Sequence, residues 1–171
     1  MHEPENEQDD CDEMTEWAVR EWADIDADTE RIVNRSSRIV RYFERAAVDT
    51  LAEVGLSHGE LKVLLRLVRG KRSHGEIARH LLVSTGTMTN RLDKLEAAGM
   101  VARHRDPNDR RGILVELTPA GRATIDRYIS VQAKRERQLL TGLSSEEKQE
   151  LNRLLRKLLA SVESEADLVK R

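Results

Sequence analysis

Ser84, Thr85, Thr87, Thr89 and Asn90 place four hydroxyls and a carboxamide within seven residues, and Arg91 follows directly. Hydroxyls of this kind cap a helix or bind a phosphate, a carboxamide pairs with adenine, and a guanidinium serves guanine or phosphate. Met88 is the only large apolar residue in the run and is placed on the same contacting surface. A second group lies downstream in Asp106-Pro107-Asn108-Asp109-Arg110-Arg111-Gly112. A carboxylate at Asp109 can hold a neighbouring guanidinium extended, and an extended arginine at Arg110 or Arg111 fits a narrow, electronegative minor groove. Pro107 and Gly112 supply the turn geometry on either side. This is chemistry for binding a nucleic acid rather than for making or breaking bonds. No glycine-rich phosphate loop, nucleophile elbow or His-Glu metalloprotease motif is present, so neither catalysis nor a cofactor is expected.

These side chains need elements to hold them. A short helix from Glu76 to Leu81, a tight connection, and a second helix opening at Ser84 and closing at Gly99 form a helix-turn-helix. Two extended runs, Met100 to Arg105 and Ile113 to Thr118, flank the charged tip and make a basic hairpin. Leu92, Leu95 and Ala98 are expected to face inward against Ile77, Leu81 and Val101. The fold class is mainly α with a small β-wing, a winged helix-turn-helix head on a helical dimerisation domain. The second helix suits the major groove of duplex DNA.

Helix signals fill the rest of the chain. A first segment runs from about Asp12 to Asp26 with Trp17, Trp22 and Ile25 at loose helical spacing, and a second from about Asp28 to Val54, ended by Gly55 as a left-handed cap. Ser57 with Glu60 and Ser73 with Glu76 read as capping boxes. Thr118-Pro119 reads as N-cap plus first-turn proline for a helix reaching about Leu140, and a final helix starts at Ser144 or Ser145 with Leu151, Leu154, Leu155, Leu158, Leu159 and Val162 on one face. The expected organisation is a disordered acidic tail over 1–11 and N-terminal dimerisation helices over 12–55. The DNA-binding head covers 56–118 and the C-terminal dimerisation helices 119–171. The apolar stripes of the long helices are too broad for the head to cover, which points to a homodimer presenting two heads to a pseudo-palindromic operator.

Charge is divided unevenly. The chain has a net charge of −2, but residues 1–30 hold 13 acidic side chains and one basic one, Arg20, which leaves the remainder at +10. The body is therefore basic enough for phosphate contacts. No apolar run is long enough to span a bilayer and the acidic N-terminus is unlike a signal peptide, so no membrane partner is expected. One cysteine excludes an internal disulfide framework and fits the reducing cytoplasm.

Across 73–123 the chain resembles the MarR family of bacterial transcription regulators, with the "DPNDRRG" wing and the "LTPAGR" helix start close to its pattern, and the likeness extends over roughly Glu30 to Val162. The resemblance implies an obligate homodimer with interlocked terminal helices, repression of a neighbouring gene, and relief by a small, often anionic or phenolic ligand bound between head and dimer domain. It places groove contacts on Ser84 to Arg91 and wing contacts on Asp109 and Arg111. The added helix bearing Trp17 and Trp22 is similar to that of the urate-responsive branch. That likeness brings Trp22, Arg91 and Arg103 to the ligand, while the branch's aspartate falls on Lys62. Reversal of that charge argues for a more highly charged anion such as a small di- or tricarboxylate. Two alternatives stand beside this ligand-responsive repressor. One is a thiol-based redox sensor using Cys11, although Asp9, Asp10, Asp12 and Glu13 around it disfavour the thiolate. The other is a helical protein-interaction module without DNA binding. His58, His74, His80 and His104 lack metal-ligand spacing.

Overall fold

A computed structural model describes residues 9–107 and 112–169. Two compact units divide the chain, Met1–Gln132 and Ala133–Arg171. In chain order the elements are α1 (Asp10–Glu21), α2 (Ala27–Glu53), α3 (His58–Leu67), β1 (Arg72–Ser73), α4 (His74–His80), α5 (Thr85–Ala97), β2 (Val101–Arg105), β3 (Ile113–Leu117), α6 (Pro119–Leu139) and α7 (Ser145–Val169).

Helix starts follow the capping chemistry of the sequence. Ser57 with Glu60 and Ser73 with Glu76 form reciprocal capping boxes, which satisfy amide donors that a helix leaves unpaired at its N-terminus. Thr118 Oγ1 accepts from the Gly121 amide at 3.0 Å to open α6, and the amides of Ser144 and Glu147 each donate to the other's side chain to open α7. Helix α5 ends in Ala98 and Gly99, the latter at φ +69°, a left-handed turn that glycine adopts without a Cβ penalty.

The N-terminal segment departs from expectation. Helix α1 begins at Asp10, not Asp12, so residues 9–11 of the expected disordered tail are ordered; positions 1–8 lie outside the described residues. Asp9 caps the helix, its carboxylate accepting from the Cys11 and Asp12 amides, and it also meets Arg35 of α2 at 3.1 Å. Asp12 bridges Arg31 (3.1 Å) and Arg35 (2.7 Å), and Asp10 meets Arg38 at 3.0 Å. Acidic composition suggested solvation, but the basic face of α2 gives these carboxylates partners. Cys11, Thr15 and Ala18 form the buried face of α1, whereas Trp17 and Trp22 stay half-exposed and touch edge-on with centroids 5.0 Å apart.

A three-stranded antiparallel sheet of order β1-β3-β2 forms the wing base, with Val101 opposite Leu117, Arg103 opposite Val115 and Arg105 opposite Ile113. Strand β1 is absent from the sequence expectation; two residues carry no periodicity, and Arg72 and Ser73 are recruited by Val115 and Leu114 of β3. The core gathers Leu61, Leu64 and Leu67 of α3, Ile77 of α4, Leu92 and Leu95 of α5, and Val115 of β3. Leu51 from α2 and Ile125 from α6 join it, and Thr50 donates to Gln132 Oε1 at 2.8 Å in the interior. Ends of both long helices are therefore built into the same core as the helix-turn-helix. Ala98 is exposed and does not join the inward face expected of it, because the helix terminates there. No helix among the described residues is long and apolar enough to cross a membrane.

Candidate nucleic-acid interface

Helix α5 is laid over the core by Met88, Leu92 and Leu95, which recur at i, i+4 and i+7 and are all buried. That anchoring turns Ser84, Thr85, Thr87, Thr89 and Asn90 to the exposed side. Ser84 caps the helix by accepting from the Thr87 amide at 3.2 Å, and its hydroxyl lies 2.9 Å from that of Thr87. Thr89 Oγ1 donates to the Thr85 carbonyl (3.0 Å) and lies 3.1 Å from His74 Nε2, which ties the start of α4 to the exposed side of α5. Small hydroxyl residues on the first two turns leave the helix slim enough for a groove, with donors and acceptors at its surface.

Met88 requires a correction. It has no exposed surface and sits at the centre of the head core, so it cannot touch a base edge in this arrangement. The polar neighbours on both sides concealed its role, because a single apolar residue in a polar run has no visible periodicity until Leu92 and Leu95 are counted with it. Asp109, Arg110 and Arg111 lie outside the described residues; the strands that lead to them are described to Arg105 and from Ile113.

The four residues assigned to a ligand are placed separately. Arg91 lies against α3, where a β-carbon on Gly59 would stand 2.6 Å from its Cζ. Lys62, one turn further along α3, is exposed and lines a groove with Leu65, Arg66 and Arg69. Arg103 projects from β2 to Asp93 (2.6 Å) and Glu96 (2.9 Å) on α5, and those two carboxylates hold it. Trp22 closes α1 as its C-cap residue beside Trp17. Of the four, Arg91 meets α3 at Gly59, one turn before Lys62, while Arg103 is committed to α5.

Two carboxylates near the head are strongly engaged. Backbone donation from Ser73 holds Glu76 below its ordinary range, and a hydrogen bond from Lys71 does the same for Glu116, which His104 also approaches at 3.0 Å. Both thus remain anionic at neutral pH and hold β1 and the wing strands to their neighbours. Among the described residues no group of three or more His, Cys, Asp or Glu is arranged to hold a metal ion.

Residues 56–113 match the MarR family, a span that contains α3 through β2 and the start of β3. The HTH-type transcriptional regulator PecS of Dickeya dadantii is 32% identical over 145 residues, covering 80% of this chain and 87% of PecS. Among solved structures, YusO from Bacillus subtilis superimposes with a TM-score of 0.73 at 22% identity, covering 77% of this chain and 94% of YusO, which supports the fold. A mutant MarR from E. coli complexed with operator DNA superimposes with a TM-score of 0.55 at 27% identity, covering 75% of this chain and 93% of that one. A polar, core-anchored second helix beside a three-stranded wing, together with these likenesses, assigns the chain to the MarR family of DNA-binding transcriptional regulators.

Proposed function

We propose that this regulator acts in the cytoplasm as a homodimeric repressor, bound to a pseudo-palindromic operator and released by a small anionic ligand. The observation that carries the DNA reading is the exposed polar side of α5, held over the core by Met88, Leu92 and Leu95. On this reading 56–118 is the head, Ser84, Thr85, Thr87, Asn90 and Arg91 approach the major groove, and Asp109, Arg110 and Arg111 serve the minor groove. Residues 12–55 and 119–171 form the dimerisation domain. Exposed Ile32, Val33, Ile39 and Val40 on α2 and Leu154, Leu155, Leu158 and Leu159 on α7 support that assignment, since apolar faces of this size are normally covered by a partner.

The ligand reading rests on Lys62 of α3 and on Arg91 of α5, whose guanidinium lies against Gly59 one turn before Lys62. On this reading the two cations are brought together, and an anion with two or three carboxylates relieves their repulsion. Trp22 and Arg103 complete the proposed site. Arg103 must first leave Asp93 and Glu96, so ligand binding and the support of α5 are in competition. Drawing Arg91 toward the ligand weakens operator binding by linkage.

Fluorescence anisotropy with duplex DNA from the region upstream of the gene tests the reading. Affinity should fall steeply with salt as phosphate neutralisation releases counterions. Sedimentation of the complex should show one dimer per site. Absence of affinity for that duplex at low salt would end the operator reading, and a monomer in the complex would end the dimer reading.

A further inference from the structure

We propose that the groove between α3, β1 and α4 binds a compact nucleoside polyphosphate, sharing Lys62 with the anion site proposed above but resting on Arg66, Arg69 and Arg72. Lys62 and Arg66 lie one turn apart on α3, Arg69 follows just past the helix end, and Arg72 on β1 also lines the groove. The groove has a volume of about 890 Å³, within the usual range for small-molecule sites. Among the described residues none of these four cations forms an ion pair, in contrast to Arg31, Arg35, Arg38 and Arg103.

The only carboxylate lining the groove is already used. Glu76 Oε2 accepts from the Ser73 amide at 2.7 Å, and this capping contact holds the group anionic at the helix start. One carboxylate against three guanidiniums and a lysine leaves a positive excess, which calls for a ligand with several negative charges in a short span. Adjacent phosphates supply that density, and guanidinium forks match phosphate oxygens in pairs. His80 donates from Nδ1 to the Glu76 carbonyl (2.9 Å), leaving Nε2 as a further polar atom on the α4 side.

Two leucines give the site a second character. Leu65 is exposed on α3, and Leu82 is 92% exposed at φ 52°, a left-handed conformation that is strained for a residue with a side chain. Both line the groove, next to the cations. A phosphate chain alone gains nothing from them, whereas a nucleoside places a flat apolar face there. Duplex DNA is a poorer fit, because its phosphate backbone leaves the apolar lining of Leu65, Ile77, Leu81 and Leu82 uncovered.

Calorimetry on the full chain without DNA tests the site, with ATP, inorganic tripolyphosphate, orthophosphate and citrate as probes. ATP should bind most tightly, and orthophosphate and citrate at least about tenfold more weakly. The double change Arg66→Gln/Arg69→Gln should weaken ATP about tenfold or more, and Leu82→Ser should bring ATP to the level of tripolyphosphate. Arg127→Gln/Arg137→Gln removes the same charge outside the groove and should change ATP affinity less than about twofold. Equal losses in the two double variants, or no ATP binding, would overturn the proposal. So would a loss of duplex-DNA affinity in Arg66→Gln/Arg69→Gln as large as the loss for ATP, which would make the groove a DNA contact. Because binding is read without DNA, failure here leaves the operator reading untouched.

Discussion

The guanidinium of Arg91 occupies the space that a side chain at Gly59 would need. A β-carbon there would stand 2.6, 2.7 and 2.8 Å from Cζ, Nε and Nη2 of the arginine. Helices α5 and α3 thus meet through an arginine on a bare backbone, one turn before Lys62. Gly59→Ala should expel the guanidinium toward solvent and the DNA side. Alanine is also the better helix former at this position, so thermal stability should hold or rise by on the order of 1 kcal/mol. Operator affinity should increase a few-fold in ligand-free protein, with a weaker response to polycarboxylates. Unchanged affinity and unchanged response, measured by anisotropy, would show that the position of Arg91 is irrelevant to both.

Asn90 and Arg111 should fail differently. Asn90→Ala removes a carboxamide at the exposed side of α5 and should change preference among operator variants by on the order of 1–3 kcal/mol per affected base pair. Arg111→Ala should weaken all duplexes by a similar factor. Binding profiles across a panel of operator variants separate the two; identical profiles would remove the division between base reading and wing contact.

Met88→Ala should act on the core and not on sequence preference. Loss of a fully buried side chain packed with Leu92 and Leu95 should destabilise the head by about 2–4 kcal/mol in urea unfolding. Preference among operator variants should be unaltered in the folded fraction. An altered preference with intact stability would return Met88 to the groove.

Much of this arrangement was legible in the sequence where local chemistry decides it. Ser57 with Glu60, Ser73 with Glu76 and Thr118 before Pro119 mark helix starts through their own hydrogen bonds, and the structure contains those bonds. Pairing across the fold was not legible. Strand β1 exists because Val115 and Leu114 offer Arg72 and Ser73 a partner, and Asp9 is ordered because Arg35 lies opposite. Arg103 carries no sequence sign of its two carboxylates, since the turn after Gly99 is what brings β2 back along α5. In the same way, Lys62 was grouped with Trp22 and Arg103 by likeness, whereas the groove neighbours Arg66, Arg69 and Arg72 emerge only once α3 and α4 are packed.

Helix α1 should leave α2 in acid. Donation from Arg35 holds the Asp9 carboxylate below its ordinary range near about 3.9, so its contribution is present above that value and is lost as pH falls through the lower folded one. An isolated helix of 12 residues is marginal, so release should also melt α1 and disperse the Trp17–Trp22 edge contact. Near-UV circular dichroism should therefore change below about pH 4 before the head unfolds. Arg35→Gln should move that change to higher pH. A single transition shared by α1 and the head, unaffected by Arg35→Gln, would contradict an ionic attachment.

Lys62→Asp should weaken release by polycarboxylates while leaving ligand-free operator binding within about twofold, because Lys62 lies on the outer side of α3 and not on α5. Gel-shift titrations with citrate, urate and salicylate compare the ligand classes. Release by urate alone, or an unchanged citrate response in Lys62→Asp, would sink the polycarboxylate reading.

Gly121 has a mechanical consequence. A β-carbon at this residue would overlap the carbonyl oxygen of Met100, which also accepts from the Thr118 amide at 3.1 Å, while Thr118 Oγ1 donates to the Gly99 carbonyl at 2.7 Å. The entry to the wing and the first turn of α6 are thereby clamped at one joint with no slack. The first turn of α6 and the backbone leading into β2 therefore share one joint, through which a displacement of either would press on the other.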